Sequence, residues 1–216
     1  MSRAGWRLAG ASVGVLVAVV AGRGSLQATD TEGPYELRDG GMTYGCGPIH
    51  YLISEAQLPD DFRTVVDGAI GKVSAATGFR FYFDGMTPDR NFDAHRIPGS
   101  SGPVLIGFAN SSEAGQFAGD VIGLGGSVVG PDGAHYGTGS IMLDSVKYAD
   151  TPDLAERQAI VMHELGHVLG LAHVHDDGEL MNEDNVGRTE FGPGDLEGLR
   201  VLRANSCDEQ GTIGPS

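Results

Sequence analysis

Residues 163–173 read HELGHVLGLAH, and no other stretch of the chain limits its fold so tightly. His163 and His167 stand four apart, so on an α-helix they share one face. Glu164 falls beside them on a different azimuth. Gly170 accepts backbone angles that other residues avoid, so the helix can end there and the chain can turn sharply. Such a turn carries His173 back toward the face of His163 and His167. The chain must therefore supply a helix that stops at Gly170, a tight reversal, and a framework that gathers three imidazoles at one point.

That arrangement has a definite chemistry. Three neutral imidazoles can converge on one zinc ion with bonds of about 2.0–2.1 Å, leaving the fourth tetrahedral position for water. Glu164 is poorly placed as a third ligand and well placed to hydrogen-bond a water on the metal. His175 is the rival third ligand, two residues after His173. The spacing favours His173 and leaves His175 exposed, with Asp176 and Asp177 holding the loop through turn hydrogen bonds. Leu165, Val168 and Leu169 read as core in either case.

The surroundings supply the framework. A length of 216 residues suits one domain with short appendages. IHYLIS from Ile49 alternates as a strand. Phe62, Val65, Val66, Ala69, Ile70 and Val73 mark one face of a helix, with Asp60 or Asp61 able to cap its start and Gly78 to end it. Residues 79–83 read as a second strand and 103–109 as a buried one. Residues 125–130 and 140–144 read as short strands, and 84–102, 110–124 and 174–192 as loops. Thr151-Pro152-Asp153 opens the histidine helix. A last helix starts near Pro193 or Asp195, with Leu196, Leu199 and Leu202 inward. The order of elements is that of an α+β fold.

The N-terminus carries an address. Arg3 and Arg7 precede a short apolar run from Leu8 to Ala21, the layout of a secretory signal ending at residue 21 or 28. Residues 1–21 or 1–28 are thus expected to be removed, the alternative being an uncleaved membrane anchor. Residues 29–43 read as a flexible lead-in, 44–207 as the catalytic domain and 208–216 as a tail. Export with two cysteines predicts a Cys46–Cys207 disulfide, the alternative being a free thiol that binds or blocks the metal. The formal charge of −15 argues against nucleic acid as a partner. No stable membrane association is expected once the signal is gone, and the chain is expected to be a monomer. Acidic loops can offer oxygen ligands to calcium, yet no motif assigns a calcium site.

HELGHVLGLAH resembles the long zinc signature of the metzincin metallopeptidases, and within them the matrixins. Met181, in GELMNE, matches the methionine turn of that clan, which implies an apolar floor beneath the imidazoles. FGPGDLEGLRVL (191–202) is similar to the matrixin C-terminal helix. CGPIHYLI and VSAATGFRF resemble the start of small secreted bacterial matrixin-like proteins. The resemblance spans residues 44–207. It implies a twisted, mixed five-stranded sheet with three helices, and a peptide substrate lying extended along an edge strand at Leu124, Gly125 and Gly126. It implies a zinc endopeptidase in which His163, His167 and His173 hold the ion, Gly170 and Met181 support them, and Glu164 is the general base toward a zinc-activated water. Where the family often has a second zinc, His95, His135, Asp120, Asp132 and Asp144 remain unassigned. Cys46, in YGCGP, is similar to an inhibitory cysteine motif but leads directly into the first strand. The competing reading is a non-catalytic zinc-binding protein that has kept the fold. Glu164 argues against it, because a structural site has no use for a base.

Overall fold

The structure, a computed structural model, describes residues 7–10 and 34–207. The remainder of the expected signal, residues 29–33 of the lead-in and the tail 208–216 lie outside the described residues. Its strands are β1 (Arg7–Gly10), β2 (Ile49–Ser54), β3 (Phe81–Thr87), β4 (Val104–Ala109), β5 (Val121–Val129) and β6 (Tyr136–Asp144). Its helices are α1 (Phe62–Thr77), a short α2 (Ser145–Ala149), α3 (Leu154–Leu169) and α4 (Pro193–Ser206). They form one sheet in the order β1-β5-β6-β4-β2-β3. β2, β3, β4 and β6 run parallel, and β5 runs antiparallel to β6. The expected mixed sheet of five strands and three long helices is therefore present, with β1 added outside β5.

The apolar stripe read in α1 packs as its spacing requires. Phe62, Val65, Val66, Ala69 and Val73 are buried against β2, β4 and α3. Phe62, Phe108 and Tyr148 meet edge to face with ring centroids 4.6–5.7 Å apart, tying α1, β4 and α2 together. Asp61 holds the N-cap position of α1, but its carboxylate makes no cap bond and pairs instead with Arg157 of α3 at 2.9 Å. α3 is capped by Asp153, whose side chain accepts from the Glu156 amide, rather than by Thr151. In α4, Leu199 and Leu202 are buried, whereas Leu196 is 40% exposed. The inward stripe there is Asp195, Gly198, Leu199, Leu202 and Ser206, and Leu196 lies off that line.

The strand lengths read from the sequence are corrected, and two N-terminal segments find their places. β5 and β6 are nine residues each and not short, because glycines at 123, 125, 126, 137 and 139 hide the alternation while the backbone stays paired. Residues 34–43 of the lead-in are built into the domain: Arg38 N–H donates to Gly170 O (2.8 Å), Ala172 N–H to Glu36 O (2.9 Å), and Thr43 is buried. Arg7–Gly10, inside the segment expected to be removed, pairs in parallel with Val121–Gly125. Cys46 and Cys207 are bonded, with a Cα–Cα distance of 4.8 Å. The bond closes the C-terminal end of α4 onto the start of β2 and leaves Cys46 no free thiol. No helix among the described residues is long and apolar enough to cross a membrane.

Candidate metal centre

α3 presents His163 and His167 from its buried side, at 0% and 1% exposure. The helix ends at Gly170, whose φ of 117° is closed to most side chains. A Cβ there would also lie 2.5 Å from the Met42 carbonyl oxygen, so glycine is required twice over. The reversal brings His173 to the same point. The three Nε2 atoms stand 3.0–3.1 Å from one another.

The contact between His163 and His167 is not a hydrogen bond. His163 Nδ1 donates to the Leu180 carbonyl at 2.7 Å, and His167 Nδ1 donates to the Leu171 carbonyl at 2.9 Å. Both protons are thus on Nδ1, and both Nε2 atoms turn lone pairs toward each other. Burial, the neighbouring imidazoles and, at the rim, Arg38 hold all three rings neutral: His163 is pulled down to about 3, His173 to about 4, and His167 well below its usual value. Buried lone pairs meeting at this distance are satisfied by a cation. With bonds of about 2.0–2.1 Å, tetrahedral ligand atoms lie about 3.3–3.4 Å apart, close to the spacing found. Among the described residues these histidines form the one group of His, Cys, Asp or Glu side chains gathered closely enough to hold a metal ion. A donor set of three neutral nitrogens, with no fourth ligand among the described residues, fits an open zinc site rather than a closed one. His163→Ala is expected to lose the metal: by native mass spectrometry, one zinc per chain should fall to none after dialysis against a weak chelator.

Glu164 lies outside that group. It is fully buried, and neither carboxylate oxygen has a hydrogen-bond partner among the described residues. Burial pushes its pKa well above the usual carboxylate range, while Arg96, the Gly125 amide and Arg38 pull the other way. Arg96 is held behind β5 by Ser140 and by the Leu124 carbonyl. Arg38 reaches the Gly125 carbonyl at 3.4 Å. His175 is exposed and sits 3.5 Å from Glu183, so it does not join the cluster. Asp176 accepts from the Gly178 amide, the expected turn.

Met181 packs its sulfur at the spot a side chain on Gly166 would fill, directly under the histidine helix. The loop carrying it is fastened by two buried acids that the sequence reading did not single out for this role. Asp195 accepts from the amides of Leu180 (2.6 Å), Gly192 (3.0 Å) and Met181 (3.3 Å). Glu179 accepts from those of Gly194 (2.9 Å) and Asp195 (2.7 Å), at the N-terminus of α4. Since Leu180 O receives His163 Nδ1, the start of α4 helps to orient a metal-facing ring. A buried acid at the third position of a helix is the only signal that the sequence offered for this.

Burial, reinforced by Glu179, raises Asp195 to about 6. In the unfolded chain an aspartate releases its proton near pH 4. Between about pH 4 and 6 the folded chain therefore binds more protons than the unfolded one, and this group's contribution to stability falls as pH rises. Asp195→Asn should remove that slope. The check is the difference in urea midpoint between wild type and variant, which should change across this window and be flat above it.

The remaining histidines have other partners. His95 contacts Asp89 and the Pro103 carbonyl. His135 pairs with Asp132, whose pKa it lowers to about 2, and Asp144 caps α2 and binds Lys147.

No protein-family model matches the chain, and no curated protein matches it. Among solved structures it is similar to the crystal structure of archaemetzincin from Methanopyrus kandleri, at 16% identity and a TM-score of 0.47, over 77% of this chain and 97% of that one.

Proposed function

We propose that this chain is an exported zinc-dependent endopeptidase of the metzincin, matrixin-like type. The observation that carries the reading is the meeting of three neutral imidazoles at their Nε2 atoms, next in sequence to a buried carboxylate. Bound at His163, His167 and His173, zinc would acidify a water and polarise a carbonyl. Glu164 then has the task of taking the water proton and passing it to the leaving amine. His163 and His167 stay oriented through their Nδ1 donors, and Met181 floors the site.

The polypeptide substrate lies along β5 at Leu124, Gly125 and Gly126, bonded through main-chain groups. The pairing of Arg7–Gly10 with this same edge supports that reading, because it is an extended segment held on the edge by its backbone. The disulfide suits an oxidising compartment, in keeping with export through the N-terminal signal. Removal of that signal would vacate the β5 edge.

The test uses the chain beginning at residue 29. Loaded with zinc it should cut an unfolded protein; stripped by a chelator it should not; reloaded it should recover. A chain that holds one zinc and cuts neither proteins nor peptides would favour the non-catalytic zinc-binding alternative.

A further inference from the structure

β5 is an unlikely strand on composition, since Gly123, Gly125 and Gly126 weaken any strand that carries them. Two of these glycines share the face toward α3, and there they meet one side chain. A Cβ on Gly123 would collide with Glu164 Oε1, and it would stand 2.9 Å from Cδ and 3.1 Å from Cγ of the same residue. A Cβ on Gly125 would lie 2.7 Å from Glu164 Oε2 and 2.5 Å from the Glu164 main-chain oxygen. Each carboxylate oxygen is thus lodged beneath one glycine. The carboxylate has no hydrogen bond to hold it there. Beside the pull of Arg96, Arg38 and the Gly125 amide, it is shape that sets its place.

The geometry points to Gly123 and Gly125 as positioning residues for Glu164, their bare backbone forming the berth that fixes where this carboxylate stands. The part of this that concerns hydrolysis rests on the peptidase reading; the berth itself does not. Substitution at the two positions should differ. At 123 the three nearest atoms all belong to the flexible end of Glu164, so a methyl group there first displaces the carboxylate. At 125 the α3 backbone is also in the way, so a methyl group there pushes the helix from the strand.

The experiment is a double-mutant cycle in the zinc-loaded and metal-free chain. Gly123→Ala should lower the melting temperature by about 3–6 °C when residue 164 is glutamate. In the Glu164→Ala background it should cost less than about 1 °C, since alanine is otherwise the better strand residue. Equal losses in both backgrounds would overturn the berth. Should Gly123→Ala fail to fold, folding of Gly123→Ala/Glu164→Ala supports the proposal and failure of both overturns it. Gly125→Ala should keep a cost in both backgrounds. On a peptide substrate, Gly123→Ala should lower kcat about tenfold or more with KM within twofold and zinc retained. An unchanged kcat, with the carboxylate displaced, would refute the positioning role. An inactive wild type would sink the peptidase reading and leave the stability cycle to decide the berth.

Discussion

Glu164→Ala is expected to abolish peptide cleavage while the chain keeps one zinc ion. A positioned general base contributes roughly 10²–10⁴-fold to rate, and Glu164 stands outside the group of side chains that can hold the ion. Loss of turnover with full zinc occupancy is therefore the signature of a base, and loss of both would mark a ligand. The same residue carries an expected effect of opposite sign on stability. Its two oxygens are buried without a partner, and burial disfavours its charged form. Replacing an orphaned polar group by an apolar one of similar shape relieves that cost. Glu164→Met should therefore raise the melting temperature of the metal-free chain, by less than the full relief because the attraction to Arg96 and Arg38 is lost, while cleaving nothing. A stabilised, inactive variant would show that function, not folding, keeps this carboxylate in the core. Cleavage by either variant would remove Glu164 from the mechanism.

The parts of the molecule that were legible in the sequence are those where one local pattern answers to one local force. The i, i+3, i+4 stripe from Phe62 to Val73 could only be buried by a helix, and HELGHVLGLAH could only gather its histidines through a helix that breaks at Gly170. What was not legible depends on partners distant in sequence. β5 read as a loop as far as residue 124, because glycines hide its alternation, and two of them pack against Glu164 some forty residues on. Leu196 read as core because spacing by threes was followed where the buried stripe also needs fours. Arg38 and Arg96 carry charge toward the site from segments read as lead-in and loop. The Glu179–Asp195 exchange of amides crosses between a loop and a helix start, and neither acid alone announces it. Even Asp61, a plausible cap, is claimed by Arg157 of another helix. Residue type and spacing identify the three histidines that converge, whereas the surroundings that orient them come from tertiary contact.

Removing the disulfide should have the largest effect on stability. The Cys46–Cys207 bond closes a loop of 161 residues, for which chain entropy alone gives about 5 kcal/mol, and native disulfides contribute about 2–5 kcal/mol in practice. Against a total stability of about 5–15 kcal/mol this is a large share. Cys46→Ala/Cys207→Ala is expected to melt on the order of 10 °C lower than the parent. Neither sulfur belongs to the histidine cluster, so the folded variant should bind one zinc at low temperature and show no gain in activity. A gain would instead mean that Cys46 restrains the site. The route from the bond to the metal runs through α4. Its C-terminal end is tied to the start of β2 by the disulfide, and its N-terminal end holds the Leu180 and Met181 amides through Asp195. Leu180 in turn orients His163. If α4 transmits the restraint in this way, zinc release and loss of helix signal in the variant should coincide on heating. Zinc leaving well before the helices melt would show that the loop at Met181 can let go of the site while α4 stays docked.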